Sequence, residues 1–213
     1  MIVQVISRKA LHSTSTARAR GAPGGRQSVR IIGGAWRGRR LHFPALAGLR
    51  PTPDRVRETL FNWLQHAVRG SRCLDLFAGS GALGMEALSR GAAEAVFVES
   101  QAAAAEQLRG QLERFGGAAR GSVLTMDAAR YLGGSGQPFD LVFLDPPFGR
   151  EALREYLPLL ERGSWVKVGG LVYLESERAS GPPELPAHWE PVKSKFAGEV
   201  GYHLARVNTR SDQ

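Results

Sequence analysis

The stretch "FDLVFLDPPFGR" (139–150) runs from an apolar segment into Asp145, Pro146, Pro147 and Phe148. A residue before proline is pushed toward extended geometry and proline fixes its own φ, so the corner is stiff and offers no proline N–H. Its carbonyl oxygens and the Asp145 carboxylate can converge as acceptors on an amino group with two hydrogens, such as the exocyclic amine of a nucleobase. Phe148 gives the ring that carries the amine a flat face, and such stacking contributes roughly 1–3 kcal/mol per base. An exocyclic amine is a weak nucleophile because its lone pair is delocalised into the ring. Acceptors at both N–H bonds favour pyramidalisation and offset the positive charge that develops on nitrogen during alkylation, so positioning and electrostatics suffice without a strong base. Asp-Pro-Pro also serves as a plain strand terminator. That reading leaves Phe148, and the glycine loop upstream, without a purpose.

The upstream loop "DLFAGSGALG" places Gly79, Gly81 and Gly84 as G-x-G-x-x-G, with Glu99 twenty residues after Gly79. This is the spacing of a dinucleotide-binding turn, in which glycines admit the ligand and the acid holds ribose hydroxyls. Taken alone it suggests NAD. Asp75, four residues before Gly79, argues otherwise, because it can meet a cationic amino group that S-adenosyl-L-methionine has and NAD lacks. Asp127 closes a third apolar run, where it can accept from an adenine amine or its water. One ligand with an ammonium, a ribose and an adenine uses all three acids at neighbouring strand tips. Any one of them could be a mere cap or turn residue. The only cysteine, Cys73, sits in the apolar run "CLDLF", so methylation at a pyrimidine C5 lacks its usual nucleophile, and no cysteine cluster can hold a metal.

The elements that must carry these residues follow from periodicity. "RCLDLF" (72–77), "EAVFVE" (94–99), "SVLTMD" (122–127), "DLVFLD" (140–145) and "GLVYLE" (170–175) are short apolar runs, as strands buried on both faces must be. The helix-forming segments "ALGMEALSRG", "QAAAAEQLRGQLERFG" and "REALREYLPLLERG" alternate with them, which predicts a parallel doubly wound sheet. "EPVKSKFAGEVGYHLARV" predicts a C-terminal antiparallel hairpin turning near Gly198. Before the sheet, "TPDRVRETLFNWLQHAV" predicts a helix capped by Thr52 or Asp54, with Val56, Leu60, Phe61, Leu64 and Val68 on one face. "VRIIGGAWRGRRLHFP" predicts a basic hairpin around Gly33 and Gly34.

The chain has 213 residues and a net charge of +8, unevenly spread. Residues 1–53 hold ten Lys or Arg and no acid, whereas the remainder carries 18 basic and 20 acidic residues. Such asymmetry points to a polyanionic partner, most often nucleic acid. Residues 1–28 are expected to be a disordered basic extension, with an organellar transit peptide as the alternative reading, and order is expected from Val29. No run approaches the roughly 18 apolar residues that span a bilayer.

Together, "RIIGGAWRGRRL" (30–41), "RPTPDRVRETLFNWL" (50–64), "LDLFAGSGALGMEALSRGA" (74–92), "VFVE" (96–99) and "FDLVFLDPPF" (139–148) resemble the class I S-adenosylmethionine-dependent methyltransferases. Within them the chain resembles the bacterial 16S rRNA guanine-N2 methyltransferase family, RsmD, over about residues 29–207. The resemblance implies an α/β Rossmann-like fold: a seven-stranded, mostly parallel sheet with an antiparallel C-terminal hairpin, over 50–208, plus a small basic N-terminal hairpin over 29–49 and a tail from 209. It implies that Asp75, Gly79 and Gly81 line the methionine side, Glu99 the ribose, and Asp127 with Ala128 the adenine. Asp145, Pro146, Pro147 and Phe148 would hold the guanine. Arg50, Thr52 and Arg57 would lie near the cofactor or catalytic mouth, Thr52 and Arg57 on the cofactor side. Arg30, Trp36, Arg37, Arg39, Arg40 and Arg50 would face RNA. The implied substrate is a guanine in the 3′ major domain of small-subunit rRNA within an assembling 30S subunit, the protein being a cytoplasmic bacterial monomer without a membrane partner or metal. The four-residue corner fits adenine N6 equally well, so adenine-N6 methylation of RNA or DNA stays open, as do an NAD-dependent oxidoreductase and an idle RNA-binding module. Two features depart from the family pattern: the long N-terminal lead, and a last strand made slim by Gly201 and Ala205.

Replacing Arg37, Arg39 and Arg40 together with Ala is expected to weaken RNA binding and flatten its dependence on salt concentration, since fewer counterions are released. Filter binding across a salt series reads this, and an unchanged slope would make the segment a solvated face.

Overall fold

The computed structural model describes residues 26–44, 52–146 and 149–210. Arg50, Pro147 and Phe148, and nearly all of the expected N-terminal extension, lie outside them.

Seven strands form one sheet in the order β5-β4-β3-β6-β7-β9-β8. The strands are β3 (Arg72–Asp75), β4 (Glu94–Glu99), β5 (Gly121–Thr125), β6 (Phe139–Leu144), β7 (Val166–Glu177), β8 (Trp189–Ala197) and β9 (Val200–Val207). β3 to β7 run parallel, and β9 and β8 are antiparallel additions at one edge. The carboxyl ends of five strands therefore meet at one rim. Strand order reverses between β3 and β6, where a crevice must open.

Two apolar layers cover the sheet. On one face α1 (Asp54–Trp63), α2 (Ala82–Ser89) and α3 (Ala102–Phe115) bury Leu60, Phe61, Met85, Leu108 and Leu112 against Phe97, Phe143 and Tyr173. On the other, α4 (Ala128–Leu132) and α5 (Gly149–Arg162) bury Leu132, Leu153 and Leu157 against Val96, Val142 and Leu174. Residues alternating along one strand thus serve opposite layers. α2 enters from Gly81 in the left-handed region at φ 74°. Gly84 lets α2 sit close on β4, because a Cβ there would stand 2.3 Å from the Phe97 ring. The slim last strand has a similar cause: a Cβ at Gly201 would meet His203 Nε2 at 2.9 Å and the Phe196 ring at 3.1 Å.

The N-terminal hairpin pairs β1 (Arg26–Arg30) with β2 (Arg40–Pro44), so its first strand includes Arg26–Ser28, ahead of the expected start at Val29. Its connection is longer than a tight turn and includes a 3-10 turn at Gly34–Trp36. Fully buried Glu86 on α2 pins it, accepting from the N–H of Ile32 (2.7 Å) and Gly33 (2.8 Å). Glu86 also pairs with Arg90 at 2.7 Å and with Arg57, itself fully buried, at 3.5 Å. Arg57 donates onward to the carbonyls of Arg30 (2.8 Å) and Thr52 (3.1 Å) and to the Asp54 carboxylate (2.6 Å).

Three expectations change here. Arg57 is a structural cation with no exposed surface and cannot touch a cofactor, since α1 packs it inward against α2. Trp36, expected to face RNA, is 6% exposed and packs edge-to-face on Phe115 at 5.5 Å, because burying a large ring outweighs presenting it. α1 has no side-chain cap: Pro53 occupies the cap position, Asp54 is engaged by Arg57, and the Thr52 hydroxyl points elsewhere.

Removing one partner of a buried ion pair strands the other, at a cost of about 3–5 kcal/mol. Arg57→Leu is therefore expected to lose stability on that scale in urea denaturation, and adding Glu86→Gln should recover part of it.

Candidate active site

A cavity of about 660 Å³ opens at the strand-end rim, over the switch between β3 and β6. Asp75, Gly79, Glu99, Asp127, Ala128, Thr52, Asp145 and Pro146, predicted from sequence, all line it. Arg57 does not line it, nor does Gly81, whose Cα faces Leu108 at the start of α2.

Asp75 at the end of β3 is 3% exposed and accepts the Gly84 N–H at 3.0 Å. Burial pushes its carboxyl up to about 7, the Gly84 N–H partly opposes this, and the nearby Glu99 charge adds to it. A buried acid without a cation holds its proton, and a ligand ammonium would draw it back to the charged form. Glu99, at the tip of β4, accepts the Gly79 N–H and the Gln101 N–H, each at 2.7 Å. It ties the glycine loop to the strand tip, and a carboxylate has further lone pairs for two ligand hydroxyls. Asp127 caps α4 by accepting the Arg130 N–H at 3.1 Å, so the cap reading of this acid holds, and it lies on the cavity wall as well. Phe77, Met126, Leu83 and Tyr156 supply apolar wall, with Tyr156 edge-to-face on Phe77 at 4.9 Å.

Asp145 follows directly on β6, and Thr52 Oγ1 donates to its Oδ2 at 3.2 Å. Arg57 holds the Thr52 carbonyl, so the buried cation of α1 positions the residue that positions Asp145. Burial, then the Glu175 charge, pushes the Asp145 carboxyl well above its usual range, and the Thr52 hydrogen bond partly opposes them. Glu175 was not anticipated as a site residue. It is 8% exposed, lines the cavity from β7, and accepts the Tyr173 hydroxyl at 2.7 Å. Its signal was present, because "GLVYLE" ends in an acid as three other apolar runs do. Cys73 is fully buried beside Ser71, and burial pushes its thiol up to about 12, so it supplies no nucleophile.

The basic hairpin reaches the cavity mouth. A groove of about 280 Å³ is lined by Ser28, Val29, Arg30, Arg40, Thr52, Pro53 and Asp54, and it shares Thr52 and Pro53 with the main cavity. Arg30, Arg37, Arg39 and Arg40 are exposed. Arg30 pairs with Asp54 at 3.3 Å, and Arg39 lies 3.8 Å over the Phe115 ring.

A doubly wound sheet with a glycine turn after its first parallel strand, an acid at the tip of the second and Asp-Pro at the fourth makes this a Rossmann-like class I methyltransferase. The family model described as "Conserved hypothetical protein 95" matches residues 29–206, and the chain belongs to that family. "Ribosomal RNA small subunit methyltransferase D" of Escherichia coli strain K12 is 48% identical over 180 residues, 84% of this chain and 90% of the relative. The protein of the same description from Haemophilus influenzae is 43% identical over 185 residues, 85% of this chain and 95% of the relative. A solved Escherichia coli structure superposes with a TM-score of 0.80 at 45% identity, covering 85% of this chain and 99% of that one. The O-methyltransferase from Bacillus cereus in complex with SAH shares the fold at a TM-score of 0.60 and 15% identity, covering 76% of this chain and 86% of that one.

The raised Asp75 carboxyl gives a signed pH effect. Between its ordinary value of 3.8 and about 7 the unfolded chain is ionised while the folded chain keeps the proton, so ligand-free stability falls as pH rises through that window. Asp75→Asn should remove this component, leaving the ligand-free variant more stable than the parent at pH 8 but not at pH 4. Denaturation midpoints at both pH values check it.

Proposed function

We propose that this protein transfers a methyl group from S-adenosyl-L-methionine to the exocyclic N2 amine of a guanine in 16S rRNA. The observation that carries the reading is one cavity lined by Asp75, Glu99, Asp127 and Asp145, acids at the tips of four neighbouring strands. The first three fit the donor: buried Asp75 suits its ammonium, Glu99 its ribose hydroxyls and Asp127 its adenine, with Gly79 and Ala128 giving close approach. When bound, the donor supplies an electrophilic methyl on a sulfonium. The residues of this chain do the rest. Asp145, held by Thr52, accepts one N–H of the guanine amine, and the Pro146 corner carries backbone acceptors for the other. The Asp145 carboxylate offsets positive charge growing on nitrogen and takes the proton that the alkylated amine sheds. For Pro147 and Phe148, which lie outside the described residues, the resemblance implies a role in holding the guanine, and for Arg50 a role toward the RNA.

The relatives' descriptions as small-subunit rRNA methyltransferases support the substrate. So do the exposed arginines of the hairpin, whose groove leads to Thr52 at the cavity mouth. The protein acts as a monomer in the bacterial cytoplasm on rRNA within an assembling 30S subunit.

Asp145→Ala is expected to keep calorimetric binding of S-adenosyl-L-methionine while losing transfer by at least about 100-fold, the scale of one lost electrostatic partner. Mass spectrometry of 16S rRNA from a deletion strain should lack one N2-methylguanosine, and its restoration by the parent but not the variant completes the test. An unaltered nucleoside profile in the deletion strain overturns the reading.

A further inference from the structure

Among the described residues, Glu175 is the carboxylate on the cavity wall to which the proposed reaction gives no role. β6 and β7 pair in register up to Leu144 and Leu174; Asp145 follows β6 directly and Glu175 is the next residue of β7, on adjacent strands that lie about 4.8 Å apart. Both carboxylates line the cavity, Thr52 reaches both, and the Glu175 charge acts on Asp145, which sets the two side by side. Their electrostatic neighbours among the described residues are other acids: Glu175 and Asp75 act on Asp145, with no described Lys or Arg among them. Burial pushes both carboxyls up. Two acids buried together without a cation are costly unless donors meet them when a ligand arrives. Tyr173 donates to Glu175 Oε1, and burial pushes the phenol up so that it stays protonated as a donor. Thr52, which donates to Asp145, also stands within reach of Glu175. A carboxylate has about four lone-pair positions, so acceptor capacity remains toward the cavity.

A guanine inserted with its amine at Asp145 presents a second donor, N1–H, beside the first and pointing the same way. Adenine and 2-aminopurine present a bare lone pair at N1 instead. We propose that Glu175 selects the base, accepting the N1–H of the target guanine while Asp145 accepts from its N2 amine. This rests on the guanine-N2 reading above and supplies what the Asp-Pro-Pro-Phe corner lacks, a means of telling guanine from adenine. A site built to hydrogen-bond a substrate N–H rejects an analogue without it by as much as about 10⁴-fold, because its own buried group is left facing a lone pair.

The test uses target RNA carrying either guanine or 2-aminopurine at the modified position; 2-aminopurine keeps the amine in place and changes N1 from donor to acceptor. The parent protein is expected to prefer guanine by at least about 100-fold in kcat/KM. Glu175→Gln, whose amide can donate to N1, should bind S-adenosyl-L-methionine normally in calorimetry, lose most guanine transfer, and narrow or invert the preference. A parent that methylates both bases within about threefold overturns the inference, as does a Gln variant with the parent's preference. Tyr173→Phe gives a second measurement should the Gln variant not fold. Loss of the phenol donor raises the Glu175 carboxyl further, with Asp145, Asp75 and Tyr202 the other titratable groups around it. The acid limb of the guanine pH–rate profile should therefore move to higher pH, and an unmoved limb counts against Glu175 contacting the base. If the parent transfers no methyl to the 2-amino group of either base, the guanine-N2 reading itself has failed, a result distinct from loss of selectivity.

Discussion

Carboxylates buried near strand tips, with no cation beside them among the described residues, are the constraint from which this molecule is best understood. Asp75 ends β3, Asp145 follows β6 and Glu175 lies near the end of β7, three adjacent strands; each is at least half sheltered from solvent, and burial raises the pKa of every one of them. In an apolar interior such groups are destabilising, and a fold retains them where a ligand brings the missing positive charge or donors. In the function proposed above, the charge of an ammonium would answer Asp75, and the donor edge of a base would answer Asp145 and Glu175. The free site is therefore held short of its electrostatic optimum, and binding supplies what folding leaves out.

Holding such a rim in place needs rigid supports, which the sequence provides by two routes. Backbone amides fix the first two acids: Gly84 N–H on Asp75, and Gly79 and Gln101 N–H on Glu99. Side chains fix the other two, Thr52 on Asp145 and Tyr173 on Glu175. Thr52 is set by Arg57, Arg57 by Glu86, and Glu86 by the N–H groups of the basic hairpin. One buried chain of hydrogen bonds thus runs from the hairpin to the reacting corner. A disturbance of the hairpin would be felt at Asp145 through groups that never touch a substrate.

The sequence reading placed most of the site because the signals were local. Gly79, Gly81, Gly84 and Glu99 lie at a fixed spacing, and Asp145 with its prolines forms a contiguous corner. The misreadings concern residues whose partners are distant in the chain. Arg57 looked like a cationic site residue; its salt-bridge partner Glu86 is 29 positions away, and only helix packing shows that the pair is sealed. Trp36 sat in a basic segment that suggested stacking on RNA, yet Phe115, far along the chain, claims its ring. Asp127 is no misreading: its cap partner Arg130 is three positions away, and it lies on the cavity wall as expected.

By itself the sequence determined the alternation of strands and helices, the glycine turn, the acids at strand ends and the stiff Asp-Pro corner, because each follows from periodicity or local backbone geometry. The tertiary structure alone decided which acids share a cavity. β3 lies between β4 and β6, and β6 between β3 and β7, so residues 75, 145 and 175 become neighbours although 70 and 30 positions separate them. The nearness of Asp145 to Glu175 follows from the β6–β7 register, which ends at Leu144 and Leu174 just before them, and register is set by burial of whole faces rather than by any local motif.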